Sequence, residues 1–135
     1  MALITWSPQH SVGVERLDKE HSVLVDVLND LHAAMKKGSA EDATEHLFWN
    51  LLEYTRSHFC SEETMMTRTG YPGLADHRAT HSQLMKKIEN YRKRIDRGKL
   101  SIDLDMLDFL RDWLIRHIQC EDRDLGRWMN EHGRF

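Results

Sequence analysis

The stretch "LADHRATHSQLMKKIENYRKRI", residues 74–95, sets the reading of the chain. Leu74, His77, His81, Leu84, Ile88, Tyr91 and Ile95 recur at alternating steps of 3 and 4. A helix of 3.6 residues per turn places such positions on one face. The ladder is apolar apart from two histidines, whose polar rings are costly to bury without partners. The same kind of interruption recurs on either side of this segment.

Upstream, "GYPG" at 70–73 ends a second ladder of Ala43, Leu47, Leu51, Tyr54, His58, Glu62 and Met65. Before it, Leu17, His21, Leu24, Leu28, Leu31 and Met35 step by 4, 3, 4, 3 and 4 along a first helix. That helix stops at "KKGS", where Gly38 suits a left-handed cap and Ser39 can cap the next helix, with Asp42 three residues on. Downstream, Gly98 closes the third helix, and Leu107, Leu110, Leu114 and His117 mark a fourth that loses strict register before Trp128. The spacing therefore predicts an all-α, antiparallel up-down-up-down four-helix bundle over residues 17–135, ending in a short C-terminal helical segment. Residues 1–16 are expected to form an N-terminal arm, with Trp6 and "SVGV" at 11–14 laid along the bundle. At 135 residues the chain is read as one domain.

Composition narrows the function. A net charge of −3 gives no reason to expect nucleic acid or an anionic membrane, and the basic run "YRKRIDRGK" at 91–99 suits a solvated helix C-terminus. No stretch approaches the ~20 apolar residues of a membrane span. "MALITWSPQH" lacks the pattern of a secretory signal, so the expected compartment is the cytoplasm. Cys60 and Cys120 are too few for a disulfide framework and are read as free thiols. Cys60 should point away from the ladder, and the second and fourth helices should lie diagonally across the bundle. His10, His32, His46 and His132 fall off the level of the other histidines.

The polar interruptions share one address. His21 opens the first helix, His58 and Glu62 end the second, His77 and His81 open the third, and His117 with Asp122 end the fourth. In an up-down-up-down bundle those four places lie at the same end. Residues four apart on a helix differ by ~40° in direction, so His58/Glu62 and His77/His81 each aim together. His117 and Asp122 are five apart, ~140° round a regular helix, and converge only if the helix widens near Ile118–Glu121. Five imidazoles and two carboxylates in an apolar core call for a cation. Seven ligands exceed what one zinc takes and suit two ions. With no thiolate among them, iron or manganese is favoured over structural zinc. The nitrogen-rich set differs from the carboxylate-rich ferritin-like pattern.

These motifs resemble the hemerythrin family, in its single-domain bacterial form. The likeness runs through "WSP", "SVGV", "LDKEH", "HFCSEE", "GYP", "HRATH" and "WLIRHIQCED". It implies a non-haem di-iron centre with an oxo or hydroxo bridge. His77, His81 and His117 would hold one iron, His21 and His58 the other, and Glu62 and Asp122 would bridge them. The second iron would keep one position open for O2. Phe59, Trp113, Leu114 and Ile118 resemble the family's apolar pocket lining. The function so implied is reversible dioxygen binding, as carrier, store or donor, and not enzymatic turnover. An O2-consuming or electron-donating protein would be its partner. The rivals are a redox enzyme reducing peroxide or nitric oxide at the same centre, a sensor module, and iron storage. The start "MALITW" and the lack of a linker-like tail are expected of a stand-alone chain. No second acidic cluster supports storage.

Overall fold

The computed structural model describes residues 3–38, 41–98 and 102–133, and for residues 41 and 42 the backbone alone. The proposed caps at Ser39 and Asp42 lie outside what is described. Among the described residues there are helices and no strands. A 3-10 turn at Pro8–His10 precedes α1 (Glu15–Lys36), α2 (Glu41–Thr69), α3 (Leu74–Asp96) and α4 (Leu104–His117). A single π turn, Ile118–Asp122, then leads into α5 (Arg123–Glu131). α1 packs on α2 and α4, and α2 on α3. α3 meets α4 where Lys87 sits 3.9 Å over the Phe109 ring. The four long helices thus form the expected bundle, and α5 is its C-terminal segment.

The helix ends follow local chemistry. Gly38 and Gly98 take positive φ (68° at both), the left-handed turn that ends α1 and α3. Asp103 caps α4 by accepting from the Met106 amide at 2.9 Å. The π turn is the widening that the spacing of His117 and Asp122 requires. Its i→i+5 bonding stacks residues five apart, which brings Asp122 beneath His117 on the core face.

Leu17, Leu24, Leu28 and Leu31 of α1 are buried as expected, as are Leu84, Ile88 and Ile95 of α3 and Leu107, Leu110 and Leu114 of α4. The face of α2 is a correction. Ala43 is exposed and Tyr54 is 50% exposed, whereas Phe48, Leu52, Phe59 and Met66 are buried beside Leu51 and Glu62. The physical reason is that α2 lies between α1 and α3. Its apolar face is wide and centred one position later than the single ladder.

The arm is shorter than expected, because α1 begins at Glu15. Ile4, Val12 and Val14 are buried against the bundle, and Trp6 is half-buried. Asn29 clamps Ile4 by accepting from its amide at 2.9 Å and donating to its carbonyl at 2.8 Å. Asp18 accepts from the Val12 amide at 2.8 Å and from the Ser11 hydroxyl at 2.5 Å. Gly126 of α5 lets the arm pass, since a Cβ there would lie 1.9 Å from the Val12 carbonyl oxygen.

Candidate metal centre

Burial is the first property of the site. His21, Glu62 and Asp122 are fully excluded from solvent, and none of His58, His77, His81 and His117 is more than 4% exposed. The four helices deliver them to one end of the core, as the topology predicts. All seven sequence-predicted groups are brought together.

The two carboxylates divide the histidines into two sets. Glu62 Oε1 lies 2.6 Å from His77 Nε2, 3.2 Å from His81 Nε2 and 3.8 Å from His117 Nε2. Its other oxygen, Oε2, lies 2.9 Å from His58 Nε2 and 3.6 Å from His21 Nε2. Asp122 repeats the division. Its Oδ1 is 3.0 Å from His77 Nε2 and 3.1 Å from His117 Nε2, while Oδ2 is 2.9 Å from His21 Nε2. Within each set, three histidines or two with the shared carboxylates, the ligand atoms all lie within 4.8 Å of one another.

Most of these atoms face one another without the alignment of hydrogen bonds. Nε2 of His21, His58 and His77 and all four carboxylate oxygens are buried with no hydrogen-bond partner. His81 Nε2 and His117 Nε2 confront each other at 3.0 Å, two nitrogens that one cation would satisfy together. So many orphaned groups with lone pairs turned inward fit metal ions, because desolvation without compensation is costly.

A ring of outer carboxylates lies behind the imidazoles. Glu20 Oε1 accepts from His58 Nδ1 at 2.7 Å, and Glu63 Oε2 from His81 Nδ1 at 3.1 Å. Glu121 Oε2 stands 3.7 Å from His117 Nδ1. Binding the proton on Nδ1 leaves Nε2 free to ligate and makes it more basic.

The comparisons agree with this geometry. A family model described as "Hemerythrin HHE cation binding domain" matches residues 12–129. The chain belongs to the hemerythrin family. A bacteriohemerythrin of Methylococcus capsulatus is 33% identical over 127 residues, covering 93% of this chain and 96% of that one. A second, from Stenotrophomonas maltophilia, is 30% identical over 132 residues, covering 98% and 85%. A crystal structure of wild-type hemerythrin superposes with a TM-score of 0.89 at 31% identity, covering 93% of this chain and 97% of that one.

The electrostatics of this hemerythrin-family site favour positive charge at its centre. Burial alone would push His58 down, but Glu20 and Glu62 outweigh it and raise it to about 9. His77 likewise rises against burial to about 9 through Asp122 and Glu62. His117 rises against burial to about 10 in the field of Asp122. The carboxylates answer in the opposite sense. Burial and Glu62 would raise Asp122, yet His117 and His21 hold it at about 2. Glu62, against its own burial, is held well below its ordinary value by the histidines around it.

The sequence reading missed Glu20, Glu63 and Glu121. Each is the immediate chain neighbour of an inner group, preceding His21, following Glu62 and preceding Asp122. A position beside a ligand, but ~100° round the helix from it, is the signal that could have found them. Cys60 and Cys120 are both free, as expected; Cys60 is exposed as its spacing implies, and Cys120, three residues after His117, is exposed too. His10 is buried but occupied at home, where its Nδ1 accepts from the Ser7 amide at 3.1 Å.

Proposed function

We propose that this chain binds dioxygen reversibly at a pair of iron ions, as an oxygen carrier, store or donor and not as an enzyme. One observation carries the reading. Three imidazoles and two carboxylate oxygens converge in one set, and two imidazoles and two carboxylate oxygens in the other, and each set could hold one ion. An ion held by the two-histidine set would therefore have one protein ligand fewer than its neighbour. When bound, the iron pair supplies the reducing electrons and the vacant position at which O2 is taken.

The protein's share is to hold the donors still and keep water away. Phe59 stacks on His81 with centroids 3.8 Å apart and planes 5° apart, and Trp113 stacks on His117 at 4.6 Å and 20°. Beneath these rings lies a cavity of about 30 Å³, whose lining includes Leu24, Phe59, Trp113 and Leu114. Among its wall groups the Thr55 hydroxyl already donates to the Leu51 carbonyl at 2.7 Å. So small an apolar space offers water no partners, which suits a diatomic gas and keeps protons away. Ile118 is fully buried at the π turn and lies outside this lining.

No helix of the described residues is long and apolar enough to cross a membrane. We place the chain in the cytoplasm, with dioxygen as ligand and an O2-consuming or electron-donating protein as partner, and without nucleic acid. The deciding experiment is the visible spectrum of the anaerobically reduced, iron-loaded protein before and after O2. A colourless form that gains a ligand-to-iron band with O2 and loses it on deoxygenation is expected. Immediate, irreversible oxidation, or sustained reduction of peroxide or nitric oxide with an electron donor, would overturn the carrier role.

A further inference from the structure

The outer carboxylates are not shared evenly between the two sets of histidines. On the three-histidine side, Glu63 holds His81, and Glu121 Oε2 stands 3.7 Å from His117 Nδ1, near it in charge but without a hydrogen bond. On the two-histidine side Glu20 alone stands behind an imidazole among the described residues, and His21 Nδ1 is buried with no hydrogen-bond partner. Glu20 also sits at a junction. Its backbone adjoins His21 on α1, and its side chain reaches across to α2. There it accepts from His58 Nδ1 at 2.7 Å and from the Ser61 hydroxyl at 2.9 Å. Arg16 steadies it from one turn earlier at 3.3 Å. The orientation of His58 therefore runs through this carboxylate, which also ties α2 to the turn of α1 that carries His21.

We infer that Glu20 is the positioning residue of the two-histidine subsite, and that its loss makes that metal alone dissociable. This rests on the two-ion reading above. The two donor sets differ in redundancy. Without Glu63 the three-histidine ion keeps five protein donors, and His117 keeps its neighbouring carboxylate. Without Glu20 the other ion keeps four donors, and neither of its imidazoles has an outer partner. Outer carboxylates of this kind change metal affinity by roughly 10–100-fold. The effect should fall at the high end for Glu20 and the low end for Glu63.

The test is anaerobic loading with Fe(II), then dialysis against graded chelator, counting iron per chain in wild type, Glu20→Ala, Glu20→Gln and Glu63→Ala. Glu20→Ala should release one ion at about 10–100-fold lower chelator and keep the other within a few-fold of wild type. Glu20→Gln, which can still accept from His58 Nδ1, should fall between the two. Glu63→Ala should shift the curve less. Metal-free melting temperatures separate positioning from folding. Glu20→Gln keeps an acceptor for His58 Nδ1 but loses the charge beside it. It should therefore melt only a few degrees below wild type while its iron curve moves for one ion alone. A Glu20→Ala curve that superposes on wild type, or one in which both ions leave together, overturns the inference and leaves the two-ion reading standing. If Glu20→Ala does not fold, Glu20→Gln decides in the same way. A wild type that fails to hold two ions overturns the two-ion reading, and this inference with it.

Discussion

The two ends of the bundle solve the same burial problem by opposite means. At one end Leu28, Leu31, Phe48, Leu52 and Leu107 are each no more than 2% exposed, and apolar packing accounts for their order. At the other, seven titratable groups occupy equivalent core positions with most of their inner atoms unpaired. The apolar end stabilises itself whatever is bound. The polar end can hold cations, and in a metal-free chain its carboxylates draw protons onto the imidazoles. A single helical register thus delivers both a self-sufficient core and a site, and which one results depends only on the side chains.

Breaking each end in turn should separate them. Glu62→Ala removes an oxygen from both sets at once, so it should weaken metal binding by more than the roughly 100-fold ceiling of outer-partner losses. Metal analysis after dialysis would read this. Leu107→Ala should instead cost about 2–5 kcal/mol of stability by denaturant unfolding, in the metal-free and loaded forms alike, because a buried leucine leaves a cavity. Gly126→Ala forces a methyl group against the Val12 carbonyl and should cost about 1–3 kcal/mol, equally in both forms. Replacing exposed Cys60 and Cys120 by serine should change stability by no more than about 0.5 kcal/mol and leave iron content unaltered.

pH sharpens the contrast. In the metal-free chain His58 and His77 at about 9, and His117 at about 10, lie above their ordinary value of 6.5. Their contribution is present in full below about pH 6.5 and is lost as pH rises through 9 to 10. Asp122, held at about 2 against an ordinary 3.8, contributes above about pH 4 and fades as pH falls toward 2. The metal-free protein should therefore be most stable near pH 4–6.5. Metal affinity should rise with pH over 6.5–9, since ligation requires unprotonated imidazole. Thermal melts and metal titrations across that range should slope in opposite directions.

Much of this could be read from the order of residues. The 3-and-4 ladders gave the helices, topology then collected His21, His58, Glu62, His77, His81, His117 and Asp122 at one end, and the five-residue step to Asp122 demanded the π turn. What escaped was what two-dimensional spacing cannot carry. The core face of α2 was misplaced by one position because a helix between two neighbours has a broad face, and a single ladder tracks only one edge of it. Glu20 and Glu63 went unassigned because their partners, His58 and His81, come from other helices. Gly126 carried no local signal, since its reason is the arm arriving from more than a hundred residues away.

The measurement that bears most directly on the paired-cation centre is an anaerobic Fe(II) titration of the metal-free chain, following bound iron and released protons together. The account expects uptake to break at two ions per chain, with protons released as the imidazoles ligate. A break at one ion, or no saturable uptake at all, would contradict it.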